Sequence, residues 1–291
     1  MSPHSSVRLG LISEGTNTWP LYVAQAQGLF ERRGLRVEAT VTGSSVKQQE
    51  MLIAGEFDIG FQQPDHVVRA VEQGSDLFAF AAHGHAPEVT VLAAAGITDI
   101  AQLRGRKIAV DGARTGYALL LRRLLRQRGF SEPDIVFVEF GGSQERFDAI
   151  KGGAAAAGML NPPFDAGLVA AGFVSLARMS EAFPSYPGSV MAARRSWALE
   201  HRSALEAFVG AMDEAYAWLQ ARGNADAALQ MLPERLKIAP KAAAAALEKL
   251  AARPRPKLTE DGMRQAIETV WESEGYQTPK GEPSKYMDLV G

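Results

Sequence analysis

The segment ITDIAQLRGRKIAVDG at residues 97–112 constrains the fold of this chain more than any other stretch. Thr98 or Asp99 can accept hydrogen bonds from free backbone N–H groups at a helix start, and Gly105 can adopt the positive φ that ends a helix. The run from Lys107 to Val110 favours a strand, and a loop of small residues follows it. This order predicts a helical turn that enters a strand of an α/β sheet, and ligands bind at the carboxyl ends of such strands.

Apolar runs and helical periodicity extend this α/β pattern along most of the chain. The hydrophobic spacing predicts strands at 7–12, 35–41, 58–61, 77–82, 90–95, 108–110, 135–139, 158–160, 174–176 and 189–193. Helices are predicted at 19–33, 45–54 and 65–73, through about 231 after the last strand, and at 242–252 and 259–274. With 291 residues, the chain is long enough to form two lobes.

Three ordered blocks resemble a branch of transporter-associated binding proteins that handles alkanesulfonates, taurine, nitrate and thiamine precursors. WPLYVAQAQGLFERRGL at 19–35 is similar to the signature P-x-x-(V/I)-A-x-x-x-G-x-(F/Y)-x-x-x-G-L. LIAGEFDIG at 52–60 is similar to L-x-x-G-x-(L/I/F)-D-(I/V/F)-G. The segment at 97–112 resembles the D-L-(K/R)-G-(K/R)-(K/R)-I-(A/G)-V entry to the second lobe of that family.

The resemblance implies an α/β chain with the two-lobed periplasmic-binding-protein type II fold. Each lobe would be a mixed sheet flanked by helices, with the ligand cleft between the lobes. We expect residues 1–90 and 188–291 to form lobe 1, with lobe 2 inserted at 91–187. The hinge is expected near 83–93 and 184–194.

Composition excludes several kinds of site. The chain has no cysteine, which excludes disulfides, thiolate metal sites and a cysteine nucleophile. Because 31 basic residues face 33 acidic ones, net charge gives no reason to expect nucleic acid as a partner. No apolar run reaches the roughly 18 to 20 residues that cross a bilayer. We predict no cofactor and no bound metal.

The resemblance places ligand contacts in the loops after the strands of each lobe. The lobe 1 candidates are Thr16, Asn17, Thr18, Trp19, Thr42, Gly43, Ser44, Gln62 and Gln63. Hydroxyl groups, amide groups and the N–H groups of helix starts suit an oxyanion or a polar edge, and an indole can stack on a planar ligand. The structural alternative is that Thr18 caps a helix, Trp19 packs in the core, and the loop at 42–46 is a helix cap.

The lobe 2 candidates are Arg114, Thr115, Gly116, Asn161 and Tyr186. The guanidinium of Arg114 can hold two oxygens of a carboxylate or sulfonate, and its alternative is an exposed arginine near Asp111. Asn161 begins NPPF at 161–164, which is similar to the (W/N)-x-P segment of the family. Tyr186 lies between two prolines and either closes over a ligand or packs in a rigid connector.

Two further residues are the suspects for acid–base catalysis if the chain is an enzyme. Glu14 would repel an anion and favours an amine or a ring N–H, whereas His66 falls in the first turn of the helix predicted at 65–73. We expect Asp65 to cap that helix and His66 to be structural. His83 and His85 alternate on one strand but lack a third metal ligand, so we expect packing or hydrogen bonding there.

The resemblance implies the solute-binding component of an ABC importer, which would capture a small organic anion by lobe closure. The aromatic side chains favour an aromatic carboxylate or sulfonate. The alternatives are a binder of a thiamine-precursor pyrimidine, or a cytoplasmic enzyme on this fold such as an aromatic-acid decarboxylase. We expect a monomeric non-enzyme whose partners are a small-molecule ligand and an ABC permease. It would be periplasmic if a signal peptide has been removed, and cytoplasmic if Met1 is the native start.

Overall fold

The computed structural model describes residues 5–162, 164–236 and 240–290, and the strands of this part form two sheets of five. The strands are β1 Ser5–Leu11, β2 Leu35–Val41, β3 Ile59–Gln62, β4 Leu77–Gly84, β5 Thr90–Ala93, β6 Lys107–Val110, β7 Val136–Glu139, β8 Ala157–Leu160, β9 Val174–Arg178 and β10 Ser189–Arg194. The helices are α1 Trp19–Ala26, α2 Ser45–Ile53, α3 Pro64–Glu72, α4 Gly116–Gln127, α5 Ser143–Lys151, α6 Phe164–Ala170, α7 Met179–Ala182, α8 Arg195–Glu200, α9 Arg202–Gln220, α10 Ala225–Leu236, α11 Pro240–Ala251, α12 Glu260–Glu274 and α13 Pro283–Tyr286.

The chain divides into two compact units. Unit 1 comprises Met1–Gly84, Ser189–Leu258 and Pro283–Gly291, and unit 2 comprises His85–Gly188 and Thr259–Glu282. The predicted division placed residues 259–282 in lobe 1, and the structure differs here because α12 packs on α4. Arg123 of α4 donates from Nη1 to the carbonyl oxygen of Gln265 at 2.8 Å and to Oγ1 of Thr269 at 3.1 Å. Such long-range contacts leave no local signal in the sequence.

The unit 1 sheet has the strand order β2-β1-β3-β10-β4. β1 pairs in parallel with β2 and β3, and β10 is antiparallel to β3 and β4. The carboxyl ends of β1 to β4 therefore lie at one edge, together with the start of β10. One face of the sheet packs on α1 and α9 through a core that includes Trp19, Phe30 and Phe208.

The unit 2 sheet has the strand order β7-β6-β8-β5-β9. β6 is parallel to β7 and β8, and β5 is antiparallel to β8 and β9. The ends of β6, β7 and β8 therefore share an edge with the start of β5. Two mixed sheets flanked by helices confirm the predicted α/β architecture.

The segment at 97–112 forms the predicted helical turn, glycine break and strand. Oδ1 of Asp99 accepts a hydrogen bond from the backbone N–H of Ala101 at 2.7 Å, which caps the turn Ile100–Leu103. Gly105 has φ +70°, a conformation that glycine adopts without strain, and β6 follows. No helix in the described part of the chain is both long enough and apolar enough to cross a membrane.

Candidate functional site

The candidate site residues lie at the carboxyl ends of parallel strands in both units. We call the loops after β1, β2 and β3, with the first turns of α2 and α3, the unit 1 edge. We call the loops after β6, β7 and β8, with the first turns of α4 and α5, the unit 2 edge. Loop side chains and free helix N–H groups meet at such edges, which suits the binding of small polar ligands.

The loop after β1 divides its four predicted ligand-binding residues into two pairs. Thr16 and Asn17 are exposed. Thr18 is buried and donates from Oγ1 to the carbonyl oxygen of Gly15 at 2.6 Å, and Trp19 is fully buried in the unit 1 core. Trp19 therefore packs in the core, which was the structural alternative for this residue. Core residues enclose its indole, so it is not presented to a ligand.

The loop after β2 is fastened to β1. The backbone N–H groups of Thr42 and Gly43 donate to the carbonyl oxygens of Leu11 and Ile12 at 2.9 and 3.0 Å. Gly43 has φ +69°, which a residue with a side chain rarely adopts. Oγ of Ser44 accepts from the backbone N–H of Lys47 at 3.3 Å, so Ser44 caps α2 as the structural alternative predicted.

A chain of buried amides runs from Gly10, near the end of β1, to Gln62 at the end of β3. Nε2 of Gln48 donates to the carbonyl oxygen of Gly10 at 3.0 Å, and Nε2 of Gln62 donates to Oε1 of Gln48 at 2.7 Å. Both glutamines are fully buried, and Oε1 of Gln62 has no hydrogen-bond partner in the described part of the chain. Gln48 was not among the predicted site residues, because a glutamine in a first helical turn gives no sequence signal for burial.

The first turn of α3 carries a buried aspartate and a buried histidine. Gln63 is the N-cap residue, and Asp65 instead accepts from Nη2 of Arg69 at 2.6 Å, so the prediction that Asp65 caps this helix is wrong. Nε2 of His66 lies 3.8 Å from Oδ2 of Asp65. Desolvation by burial lowers the pKa of His66, outweighing the attraction of Asp65, so this imidazole is neutral near pH 7.

Glu14 is held by an aromatic hydroxyl. Tyr22 of α1 donates its O–H to Oε1 of Glu14. The carboxylate is otherwise on the exposed loop after β1, which places an acidic group at the unit 1 edge. An acid at this position favours a ligand group that donates a hydrogen bond over one that carries negative charge.

His83, near the end of β4, is a fully buried histidine. Its ring stacks on Phe61 with the ring centroids 3.8 Å apart, and neither ring nitrogen has a hydrogen-bond partner in the described part of the chain. Desolvation by burial lowers its pKa from 6.5 to about 3. Of the two roles expected for His83, packing and hydrogen bonding, the structure shows packing.

The loop after β6 holds three predicted residues in two different roles. Thr115 donates from Oγ1 to Oδ1 of Asp111 at 2.7 Å and caps α4, whose first residue is Gly116. Arg114 pairs with Glu274 of α12, and 77% of its side chain is exposed. The predicted anion-binding arginine thus has a carboxylate partner within its own unit.

Arg146 of α5 is a functional candidate that sequence reasoning missed. Its residue exposure is 7%, and it is the one buried Arg or Lys among the described residues. Nε donates to the carbonyl oxygen of Met159 at 2.8 Å, Nη1 to that of Gly141, and Nη2 to Oγ of Ser143 at 3.2 Å. Desolvation lowers the pKa of this guanidinium, and the charges of Asp111 and Glu145 oppose that shift.

Two other carboxylates of unit 2, Glu139 and Asp165, accept hydrogen bonds from nearby donors. Glu139 accepts from the backbone N–H of Ala113 at 2.8 Å, and Asp165 accepts from the backbone N–H of Ala166 at 2.8 Å and from Thr90 Oγ1 at 3.3 Å. In the described part of the chain the hydrogen bonds of the Arg146 guanidinium go to neutral oxygens, while Asp111 and Glu145 act on it through their charges. A signal that could have found it is the Gly141-Gly142-Ser143 turn, with an arginine in the first helical turn behind it.

Asn161 and Tyr186 each take part in a local backbone hydrogen bond. Asn161 is half-buried after β8, and its carbonyl oxygen accepts from the N–H of Phe164 at 3.0 Å, which starts α6. Pro163, in the segment that carries the family resemblance, lies outside the described residues. Tyr186 is buried, and its N–H donates to the carbonyl oxygen of Phe183 at 3.2 Å. Its ring is therefore part of a packed connector rather than an exposed surface.

Within the part of the chain that the structure describes, no group of three or more His, Asp or Glu side chains could hold a metal ion. Chemically, the unit 1 edge offers neutral amides, hydroxyls, one exposed carboxylate and a neutral histidine. The unit 2 edge offers a buried cation and carboxylates that accept hydrogen bonds from nearby donors. Hydrogen-bonding and charged groups of these kinds suit a small polar organic molecule.

The chain also matches a family of known proteins. The sequence model of the family described as NMT1/THI5 like matches residues 15–225. A comparison with curated proteins finds no match.

Solved structures give the same fold at low identity. The alkanesulfonate-binding protein SsuA from Xanthomonas axonopodis pv. citri, bound to MOPS, is 19% identical with a TM-score of 0.76 over 100% of both chains. The periplasmic aliphatic sulphonate binding protein SsuA from Escherichia coli is 20% identical with a TM-score of 0.77 over 95% of each chain. The Candida albicans CA3427 gene product, described as having the generic periplasmic binding protein fold, is 14% identical with a TM-score of 0.77, covering 98% of this chain and 97% of its own. These likenesses confirm the predicted periplasmic-binding-protein fold.

Proposed function

Because the chain belongs to the NMT1/THI5-like family, we propose that it is the solute-binding component of an ABC importer, and that it captures a small organic acid in the periplasm. Two solved structures with this fold are described as alkanesulfonate- and aliphatic sulphonate-binding proteins. The fold by itself does not decide function, so the proposal depends on the chemistry of the two edges.

The observation that carries the proposal is Arg146. A buried guanidinium is costly, and three of its five N–H donors are used by neutral oxygens. The two remaining donors and the buried positive charge favour a carboxylate or sulfonate of the solute. We therefore propose Arg146 as the anion-binding side chain, with Arg114 as the competing candidate, since release of Glu274 would free its guanidinium.

The preference for an aromatic acid has less support than the preference for an acid. Trp19 and Tyr186, which suggested a ring-binding surface, are both buried among other residues. Aliphatic and aromatic acids are therefore tested side by side.

A second candidate function follows from His66. Nδ1 of this buried, neutral imidazole has no hydrogen-bond partner in the described part of the chain. A neutral histidine can accept or deliver a proton, so a decarboxylase of organic acids is the enzymatic alternative.

The test is a thermal-shift screen of the protein against aromatic and aliphatic carboxylates, sulfonates and pyrimidines, followed by mass spectrometry of each recovered ligand. A true ligand should stabilise the protein by about 4 kcal/mol at a thousandfold excess over Kd. A selective acid that is recovered unchanged supports capture for transport. An acid recovered without its carboxyl group, and unchanged when His66→Ala is used, would establish the enzymatic alternative instead.

A further inference from the structure

The amide chain at the unit 1 edge has a fixed direction. A carbonyl oxygen can only accept, so the contact of Gln48 with the carbonyl of Gly10 requires Nε2 of Gln48 at that position. Oε1 of Gln48 must then face Gln62, and it accepts from Nε2 of Gln62 at 2.7 Å. The side-chain orientation of Gln62 is therefore set by a backbone group two contacts away.

The surrounding packing prevents Gln48 from moving away. A Cβ at Gly60 would lie 2.5 Å from Nε2 of Gln48, so the glycine in β3 leaves the space that this amide occupies. Rotating the Gln48 amide would bring its oxygen against the carbonyl oxygen of Gly10, which is repulsive and leaves two buried groups unsatisfied.

The chain ends on an acceptor. Oε1 of Gln62 is buried and has no partner in the described part of the chain, and Gln62 is the last residue of β3. Oδ1 of Asp65, three residues further in the first turn of α3, is a second buried acceptor without a partner there. An acceptor that the fold buries and leaves unpaired costs about 1 to 3 kcal/mol until a donor reaches it.

We propose that Oε1 of Gln62 accepts a hydrogen bond from an N–H or O–H group of the captured solute. Gln48 is then a positioning residue that sets the specificity by preventing Gln62 from presenting its NH2. The inference rests on the proposed function, and it narrows the solute class to organic acids with a donor, such as amino acids of the carboxylic or sulfonic type. The exposed carboxylate of Glu14 at the same edge acts in the same direction.

The experiment compares probe pairs in which an amino group is replaced by a methyl group of similar size. The acidic pairs are sulfanilate with toluenesulfonate, and taurine with propanesulfonate, and the neutral pair is aminopyrimidine with methylpyrimidine. Isothermal titration gives the affinity ratio within each pair for the wild-type protein and for each variant. We expect the amino member of a bound pair to bind at least about tenfold more tightly to the wild-type protein.

Three variants separate the roles of the glutamines. Gln62→Met removes the acceptor, so the ratio should fall to about one. Gln48→Met lets the Gln62 amide turn over, so the ratio should fall although Gln62 is intact. Gln49→Met is the matched control on the same helix, since Gln49 bonds to the carbonyl of His66 outside the amide chain and its loss should leave the ratio unchanged.

The outcomes distinguish this inference from the proposed function. Equal binding of both members of the acidic pairs, or a preference that persists in Gln62→Met, overturns the inference and leaves the organic-acid function standing. Binding of aminopyrimidine alone, with its preference lost in Gln62→Met, supports the donor inference and overturns the acid assignment. Failure of every probe to bind rejects both.

Discussion

The two edges are built on related sheets but use different chemistry. Each sheet has a parallel pair of strands beside its central strand, and the loops at its carboxyl edge lead into helices. At the unit 1 edge the buried polar side chains include the neutral amides of Gln48 and Gln62 and the imidazole of His66. At the unit 2 edge the buried polar group is the cation Arg146, and its carboxylates accept hydrogen bonds from nearby donors.

This difference separates affinity from selectivity. A buried charge attracts an opposite charge whatever molecule carries it, whereas an amide of fixed orientation distinguishes a donor from an acceptor. We infer that the groups of the unit 2 edge favour affinity for an acid, and that the groups of the unit 1 edge favour selectivity for a hydrogen-bond donor. Four changes test this comparison, beginning with the largest expected effect.

Replacing Arg146 with Met should have the largest effect. The variant removes the buried charge and leaves the carbonyl oxygens of Gly141 and Met159 without their donor. We expect a loss of about 3 kcal/mol in the free energy of unfolding and about a hundredfold loss of affinity for acidic probes. Urea unfolding and isothermal titration measure the two effects.

Two control variants accompany Arg146→Met. Arg146→Lys keeps the charge without the planar fork and should lose less affinity than the Met variant. Arg106→Met removes an exposed arginine of unit 2 and should change neither quantity by much. A larger affinity loss in Arg114→Met than in Arg146→Met would show that the anion is bound at Arg114 and that our comparison of the edges is wrong.

Acid should weaken unit 1 through His83. Its pKa is lowered from 6.5 to about 3 by burial, so the folded protein binds this proton less readily than the unfolded chain does. The associated stability is therefore complete above about pH 6.5 and is lost as the pH falls from there towards 3. Between pH 7 and pH 5 we expect a loss of about 2 kcal/mol from this group. Burial of His66 acts in the same direction.

Urea unfolding across this pH range checks the sign and the cause. His83→Phe keeps a ring against Phe61 and should flatten the pH dependence, because nothing titrates at that position. His201→Phe is the matched control, since His201 also stacks on an aromatic ring, that of Trp197, but is only partly buried. If both variants flatten the curve equally, burial of His83 is not its cause.

Asp58 tests whether charges in unit 1 are structural. It precedes β3, at the opposite end of the strand from Gln62, and accepts from the backbone N–H of Arg8 at 2.8 Å and from its Nε at 3.0 Å. Its hydrogen bond raises the pKa of the Arg8 guanidinium. Asp58→Asn should cost about 1.5 kcal/mol of unfolding free energy, a modest value because Arg8 is half-exposed and water screens the pair.

The ligand affinity of Asp58→Asn shows whether this charge is only structural or also contributes to binding. Thermal unfolding should show the loss, while titration with the best acidic probe should give an unchanged Kd. Glu56→Gln, at an exposed carboxylate beside Asp58, should change neither. A stable Asp58→Asn protein with weakened binding would mean that charge in unit 1 contributes to affinity, contrary to the division drawn above.

The sequence predicts the fold well because strands and helices leave local patterns. The strand predicted at 35–41 is found at Leu35–Val41. The helix predicted at 259–274 is found at Glu260–Glu274. The helix predicted at 19–33 ends early at Ala26, because Gly28 turns the chain at φ +62° before a short turn at Glu31–Arg33.

Side-chain orientation within the site could not be predicted in the same way. The strands end close to where the sequence predicts, so the loops after them could be placed, but the burial of Trp19 and Tyr186 depends on the folded chain. Gln48 and Arg146 are polar residues in helical first turns, where exposure is the usual expectation. Their burial depends on Gly60 and on the carbonyl of Met159, which the chain brings near only when it folds.

The assignment of α12 to unit 2 depends on the same kind of long-range contact, and Arg123 tests it with the smallest expected effect. The side chain is 11% exposed, bonds to the carbonyl of Gln265 and to Thr269, and pairs with Glu268. Arg123→Met should lower the free energy of unfolding by about 1 kcal/mol. A methionine side chain can keep the apolar packing, but it cannot donate hydrogen bonds to these acceptors. Limited proteolysis should then cut within 259–282 faster than in the wild-type protein.

Arg128→Met, at the exposed end of the same helix, should leave the cleavage rate unchanged. Equal protection of this segment in both variants would mean that apolar packing, rather than the arginine contacts, holds α12 in unit 2.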